Sequence, residues 1–257
     1  MKIAILQTDN LPYDKAKLSL LIQNAKKNGA SLIVLPEYVL NRFFKELEKT
    51  PLSFIKNQTN HQIKHLKHLA QIYNITIIAP IVRILNNKKY KVIAKIDKNA
   101  RYYYQQVFIP YPHWNEEKYF DKKRDFPLVF INEGIKFGIM FGFESHIEKF
   151  WSYFSEKRVD CVLIPSVGTF NSNKRWLEML KTKAFLNHIY VIRANRIGSF
   201  KEWEFYGKSF AISPEGEIIN ILGNKEEIGI IEVDKNRIKE ARKEWRFKFL
   251  EKSIKHF

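Results

Sequence analysis

Residues 137–145 read FGIMFGFES. Ile135, Phe137, Ile139 and Phe141 alternate with their neighbours, a period of two that predicts a strand. Gly142 ends the run, and the polar Glu144 and Ser145 precede a segment with helical character from Ile147 onward. A strand that bends directly into a helix presents the residue at its bend to a cleft.

Working outward, residues 2–7 (KIAILQ) form a short apolar strand. In residues 14–27, Leu18, Leu21, Ile22 and Ala25 fall at helical spacing, with a stop at Asn28-Gly29. An apolar strand over 31–35, a helix over about 59–73 and a strand over 75–82 continue the alternation. Strands covered by helices imply an α/β layered architecture. Residues 90–96, 101–108 and 128–140 are strand-like and separated by turn-rich segments, so hairpins follow the crossover units. The remainder predicts a helix over 147–156, a strand over 161–164, a helix over 174–187 and a strand over 190–195. A hairpin over 210–221 turns about Pro214, Glu215 and Gly216, and a strand follows over 228–233. A basic helix from Lys235 places Ile238, Ala241, Trp245 and Phe249 on one side. No internal repeat, linker or composition break interrupts the chain, so residues 1–257 read as a single domain.

The 257 residues can bury a sizeable core, and 45% hydrophobic content with mixed charges marks a globular rather than a disordered chain. No apolar run approaches the roughly 20 residues that span a bilayer, and Met1 leads straight into a strand. The expectation is a soluble, cytoplasmic protein without a transmembrane segment. A single cysteine, Cys161, excludes a disulfide framework and a multi-cysteine metal site. The net charge of +17 invites a nucleic-acid or membrane-surface reading. Its lysines are spread over every segment, without a basic stripe or a recognised binding motif, so nucleic acid is not the expected partner.

The elbow at residues 138–144, GIMFGFE, resembles the G-I-x-x-C-Y/F-D/E junction of the nitrilase, or carbon-nitrogen hydrolase, superfamily, with Gly142 at the nucleophile position. Residues 32–37 (LIVLPE) are similar to the strand that delivers the family's glutamate, placing Glu37 there. Residues 104–109 (YQQVFI) stand where the family has Y-R-K-x-H-L, placing Gln106 at the lysine. Ala184, Asn187, Asn195, Gly198, Gly207, Ser209, Pro214 and Gly216 extend the likeness over nearly the whole chain. The resemblance implies an αββα sandwich of two mixed sheets and a homodimer to which Trp245 and Phe249 contribute, with no cofactor. In the family's reaction a glutamate takes the thiol proton, cysteine attacks an amide or nitrile carbon, and a lysine stabilises the oxyanion. With glycine and glutamine at two of these three positions, the implied reading is a catalytically degenerate member that keeps a pocket for a small amide or carboxylate, or an interaction role.

Glu116, four residues before Phe120, fits the family's E-x-x-x-F, with Glu117 as the register alternative. If the lysine is absent, Glu37 and Glu116 would repel and raise a carboxyl pKa. The same pair could activate water in a divergent amidase. Gln106, His113, Trp114 and Phe143 are the candidate ligand-binding residues, an aromatic and polar wall. His113 has no second ligand at metal spacing, so no metal site is expected. Cys161 sits in an apolar strand and reads as packing. Ser145 reads as a helix cap rather than a nucleophile.

Overall fold

The computed structural model describes residues 1–169 and 172–246. In chain order the elements are β1 (Lys2–Gln7), α1 (Lys15–Lys27), β2 (Leu32–Val34), α2 (Phe44–Leu47) and α3 (Leu52–Tyr73). The hairpin region follows with β3 (Thr76–Leu85), β4 (Lys88–Ile96), β5 (Ala100–Tyr104), β6 (Pro110–Tyr111), β7 (Trp114–Asn115), β8 (Val129–Asn132) and β9 (Ile135–Ile139). The second half has α4 (Glu148–Glu156), β10 (Cys161–Ser166), α5 (Asn173–Asn187), β11 (Tyr190–Asn195), β12 (Ile197–Phe200) and β13 (Trp203–Tyr206). It closes with β14 (Phe210–Ile212), β15 (Ile218–Ile221), β16 (Glu227–Glu232) and α6 (Lys235–Glu244).

Two six-stranded mixed sheets carry the fold, ordered β16-β1-β2-β3-β4-β5 and β15-β14-β11-β10-β9-β8. Each has three parallel strands at its centre, β1-β2-β3 in one and β9-β10-β11 in the other, flanked by antiparallel strands. Period two on the first sheet sorts its residues into two buried faces. Ile3, Ile5, Leu32, Val34, Ile78 and Ile93 join the core that contains the second sheet. Ala4, Leu6, Ile33, Ile77 and Ala79 pack with Leu18 and Ile22 of α1 and Leu66 and Leu69 of α3. Helices α4 and α5 cover the second sheet through Trp151, Phe154, Leu180 and Ala184. Both faces of the central strands are therefore apolar, which is why residues 31–35 and 161–164 show no polar alternation. The layers run α, β, β, α.

Gly138 shows how tightly the outer layer sits. A Cβ there would lie 2.7 Å from two atoms of the Phe154 ring, so the glycine makes room for α4.

Several elements differ from the sequence reading. The strand expected over 101–108 stops at Tyr104: Gln105 N–H still donates to Lys91 of β4, but Gln106 N–H leaves the ladder and donates to the Glu144 carboxylate. A 3-10 turn over Phe143–His146 precedes α4. Ser145 caps no helix; its hydroxyl donates to the Gly142 carbonyl. The β12-β13 hairpin had no clear signature, since its alternation is short and its turn uses Lys201 at φ 51° rather than glycine. Trp245, half exposed, meets Phe185 edge-on with ring centroids 5.5 Å apart, whereas Phe249 lies outside the described residues. No helix among the described residues is long and apolar enough to cross a membrane.

Candidate functional site

The parallel strands of both sheets deliver their carboxyl ends to one place, the usual location of a site in open α/β sheets. Glu37 follows β2, Gly142 follows β9, and Ser166 and Asn195 end β10 and β11. The Glu37 amide donates to the Ser166 carbonyl across the sheets.

At the centre is a buried ionic cluster. Lys91 Nζ, on β4, lies 2.7 Å from Glu116 Oε1 and also pairs with Glu37 Oε2. All three side chains are at least 95% buried, so the cluster is shielded from solvent. The cation whose loss the sequence suggested is therefore present, supplied by a different strand. Gln106 is engaged elsewhere: its amide donates to the carbonyls of Tyr104 and Lys123 and accepts from the Asp125 N–H, so it offers nothing to a carbonyl between the sheets. The sequence did hold a clue to Lys91. Along β4, Val92, Ala94 and Ile96 face the helices, so Lys91, Ile93 and Lys95 share the inward face, an abnormal setting for two lysines.

Burial pushes the Glu37 carboxyl up to about 7, with Glu116 adding to the rise and Lys91 opposing it. Burial pulls the Lys91 ammonium down, but Glu116 and Glu37 more than reverse this, and its pKa is raised. Two carboxylates and one ammonium leave a net negative charge, and a proton on Glu37 neutralises it.

Tyr38 locks this arrangement. It is buried at φ 57°, a left-handed conformation that costs a non-glycine residue about 1–3 kcal/mol. Its hydroxyl donates to Glu116 Oε1, and its carbonyl accepts from Arg196 Nη1 at 3.3 Å. Arg196 is itself fixed by Asp9, 3.0 Å away. Glu117, by contrast, is exposed and pairs with Lys122. Glu144 joins the elbow to β5, accepting from Tyr103 Oη and Gln106 N–H at 2.7 Å and from Phe141 N–H at 3.0 Å. Burial pushes its carboxyl up to about 7 despite these donors.

Gly142 faces the cluster. A Cβ built on it would point toward Glu37, 3.2 Å from Oε1, but would stand 2.8 Å from Ser166 Cβ and 3.3 Å from Ser166 Cα. The space beside the missing side chain is therefore partly taken by β10. Ser166 Oγ lies 3.1 Å from both the Ala194 carbonyl and Asn195 Oδ1. Cys161 is buried, and burial raises its thiol well above the usual range.

His113, Trp114 and Phe143 come together on a different surface, the wall of a cavity of about 550 Å³ beside the elbow. Tyr111, His146 and Trp176 complete its aromatic lining, and Val167 and Gly168 extend it from β10. His113 stacks on Trp203 with centroids 5.7 Å apart, so the missed β12-β13 hairpin supports this wall. Glu37, Glu116 and Lys91 do not line it. The void beside Lys91 and Tyr38 is about 10 Å³, near the lower limit for one water.

The carbon-nitrogen hydrolase family profile matches residues 2–243. N-carbamoylputrescine amidase of Solanum lycopersicum is 24% identical over 267 residues, covering 95% of this chain and 89% of the relative. A carbon-nitrogen hydrolase from Helicobacter pylori G27 superposes with a TM-score of 0.87 at 21% identity, covering 96% of this chain and 94% of that one. Glutamine-dependent NAD+ synthetase from Acinetobacter baumannii gives 0.84 at 22% identity over 92% of this chain, which spans only 46% of that protein. Profile, curated relative and architecture agree: the chain belongs to the carbon-nitrogen hydrolase, or nitrilase, superfamily.

Proposed function

We propose that this chain is a single-domain member of the superfamily that has given up thiol-dependent hydrolysis and uses the cavity beside the elbow to hold a small molecule. The carrying observation is Gly142, which has no side chain to form a covalent intermediate and has Ser166 crowding the space where one would start. Loss of a nucleophile costs about a millionfold in turnover by analogy with serine hydrolases. In this reading Glu37 and Glu116 are inherited site positions, and Lys91 does the work assigned in the family to a lysine at position 106. Their role here is to pin the segment that carries Glu116 to the first sheet.

The likeness to the N-carbamoylputrescine amidase of Solanum lycopersicum makes carbamoyl and amide compounds the first candidates to try. The protein is incubated with amides, carbamoyl compounds and nitriles while ammonia and acid products are followed. The expected result is binding without turnover; product formation by the unmodified chain overturns the proposal. Direct water activation by Glu37 is the competing chemistry, favoured by a carboxyl that titrates near neutrality. Homodimerisation through the C-terminal segment is a further part of the proposal, and sedimentation giving a concentration-independent monomer would remove it.

A further inference from the structure

Arg193, on β11, is fully buried, and its Nε and Nη1 have no hydrogen-bond partner among the described residues. Among the described residues Nη2 alone finds a partner, donating to Tyr206 Oη at 3.0 Å. No described carboxylate forms an ion pair with it. Glu37 favours its charged form from a distance without touching it, so the buried guanidinium still lacks a contacting counter-charge, and its retention asks for a function or a closer anion. Three rings offset part of the cost of burial: Trp176 at 4.6 Å from the guanidinium carbon, Phe210 at 5.5 Å and Tyr206 at 5.6 Å.

The position of this guanidinium is informative. Gly168 and Trp176, which touch it, both line the cavity of about 550 Å³. A Cβ on Gly168 would come within 2.6 Å of Nη2, so the floor there is thinned to bare backbone, with the charge directly behind it. A polar chain reaches the same wall, since Ser172 Oγ, at the cavity surface, lies 3.3 Å from the Tyr206 hydroxyl that accepts from Arg193. The described lining has Arg175, His113 and His146 but no aspartate or glutamate. A positive potential inside an aromatic wall selects a ligand that is both apolar and anionic.

We propose that the cavity receives a small carboxylate with an apolar body, and that Arg193, behind Gly168 and Trp176, supplies the charge that distinguishes it from a neutral amide. This deepens the pocket reading above and rests on it. The lining rings cover the apolar body, and the carboxylate lies at the Gly168 end, where the low-dielectric wall screens the guanidinium little.

Binding of 3-phenylpropionate and of 3-phenylpropionamide, followed by calorimetry and by quenching of tryptophan fluorescence, tests this on the full chain. The acid is expected to bind at least tenfold tighter than the amide. In Arg193→Gln that preference collapses to less than threefold with amide affinity unchanged, and Arg193→Lys keeps most of it. Equal affinities in the unmodified protein would overturn the charge inference while leaving the pocket reading intact, and this holds even if the glutamine variant does not fold. Persistence of the preference in folded Arg193→Gln would also overturn it. Failure of both probes to bind would count against the pocket reading and this inference together.

Discussion

The Lys91 ammonium lies 2.7 Å from the Glu116 carboxylate and bridges it to Glu37, in a chain that carries glutamine at the position where its family resemblance expects the lysine. Position 106 lies in the segment after β5, whereas Lys91 reaches the same pair of glutamates from β4. The cluster draws its cation from β4 rather than from position 106. Keeping it is intelligible physically, because two carboxylates at full burial without a cation would be strongly destabilising.

Lys91→Met should therefore destabilise the fold by about 3–5 kcal/mol at pH 8, the range for removing one partner of a buried ion pair. Urea midpoints measured at two pH values check this. The defect should shrink toward pH 5.5 as the stranded Glu37 carboxyl takes up a proton; a pH-independent loss under 1 kcal/mol would show that the cluster contributes little.

Glu37 sets a second pH dependence. Its folded pKa of about 7 lies above the ordinary 4.5, so folding favours the protonated form. Its contribution is fully present below about pH 4.5 and is lost as pH rises through 7. Relative to Glu37→Gln, the unmodified protein should lose roughly 2–3 kcal/mol over that window. Carbon NMR of labelled glutamate should show two buried carboxyls titrating near pH 7 in the unmodified protein, Glu37 and Glu144, and only the second in the variant.

Crowding at the elbow is open to a double-mutant cycle. Gly142→Ala should cost about 1–3 kcal/mol, since its Cβ meets that of Ser166 at 2.8 Å. In a Ser166→Gly background most of this cost should vanish, giving a coupling of at least 1 kcal/mol in denaturant unfolding. Additive effects would place the clash elsewhere.

Gln106→Ala should behave as a structural change alone. The side chain serves the carbonyls of Tyr104 and Lys123 and the Asp125 amide, so its loss should cost about 1–2 kcal/mol. Ligand affinity at the cavity, measured by calorimetry, should be unchanged.

The layered fold was legible because both periodicities were strong, and because the fully apolar strands announce burial on two faces. His113, Trp114 and Phe143 were legible as an aromatic wall, although nothing local showed that they stand apart from the ionic cluster. Lys91 was missed because one-dimensional likeness assigns a role to a position, whereas the site needs only a charge at a point in space. Its clue was the inward face it shares with Ile93. Arg193 and Ser166 were hidden for another reason: both lie in apolar strand runs, and only the packing of β10 and β11 against the elbow gives them significance.

The most direct test of the account is ammonia and acid release from amide, carbamoyl and nitrile substrates by Gly142→Cys/Ser166→Gly, compared with the unmodified chain. The two substitutions supply a thiol and the space for it, and Lys91 is already in place. The account predicts turnover in this variant, none in the unmodified chain, abolition by adding Lys91→Met and no gain from adding Gln106→Lys. Turnover by the unmodified chain, or activity that appears only once Gln106→Lys is included, would contradict it.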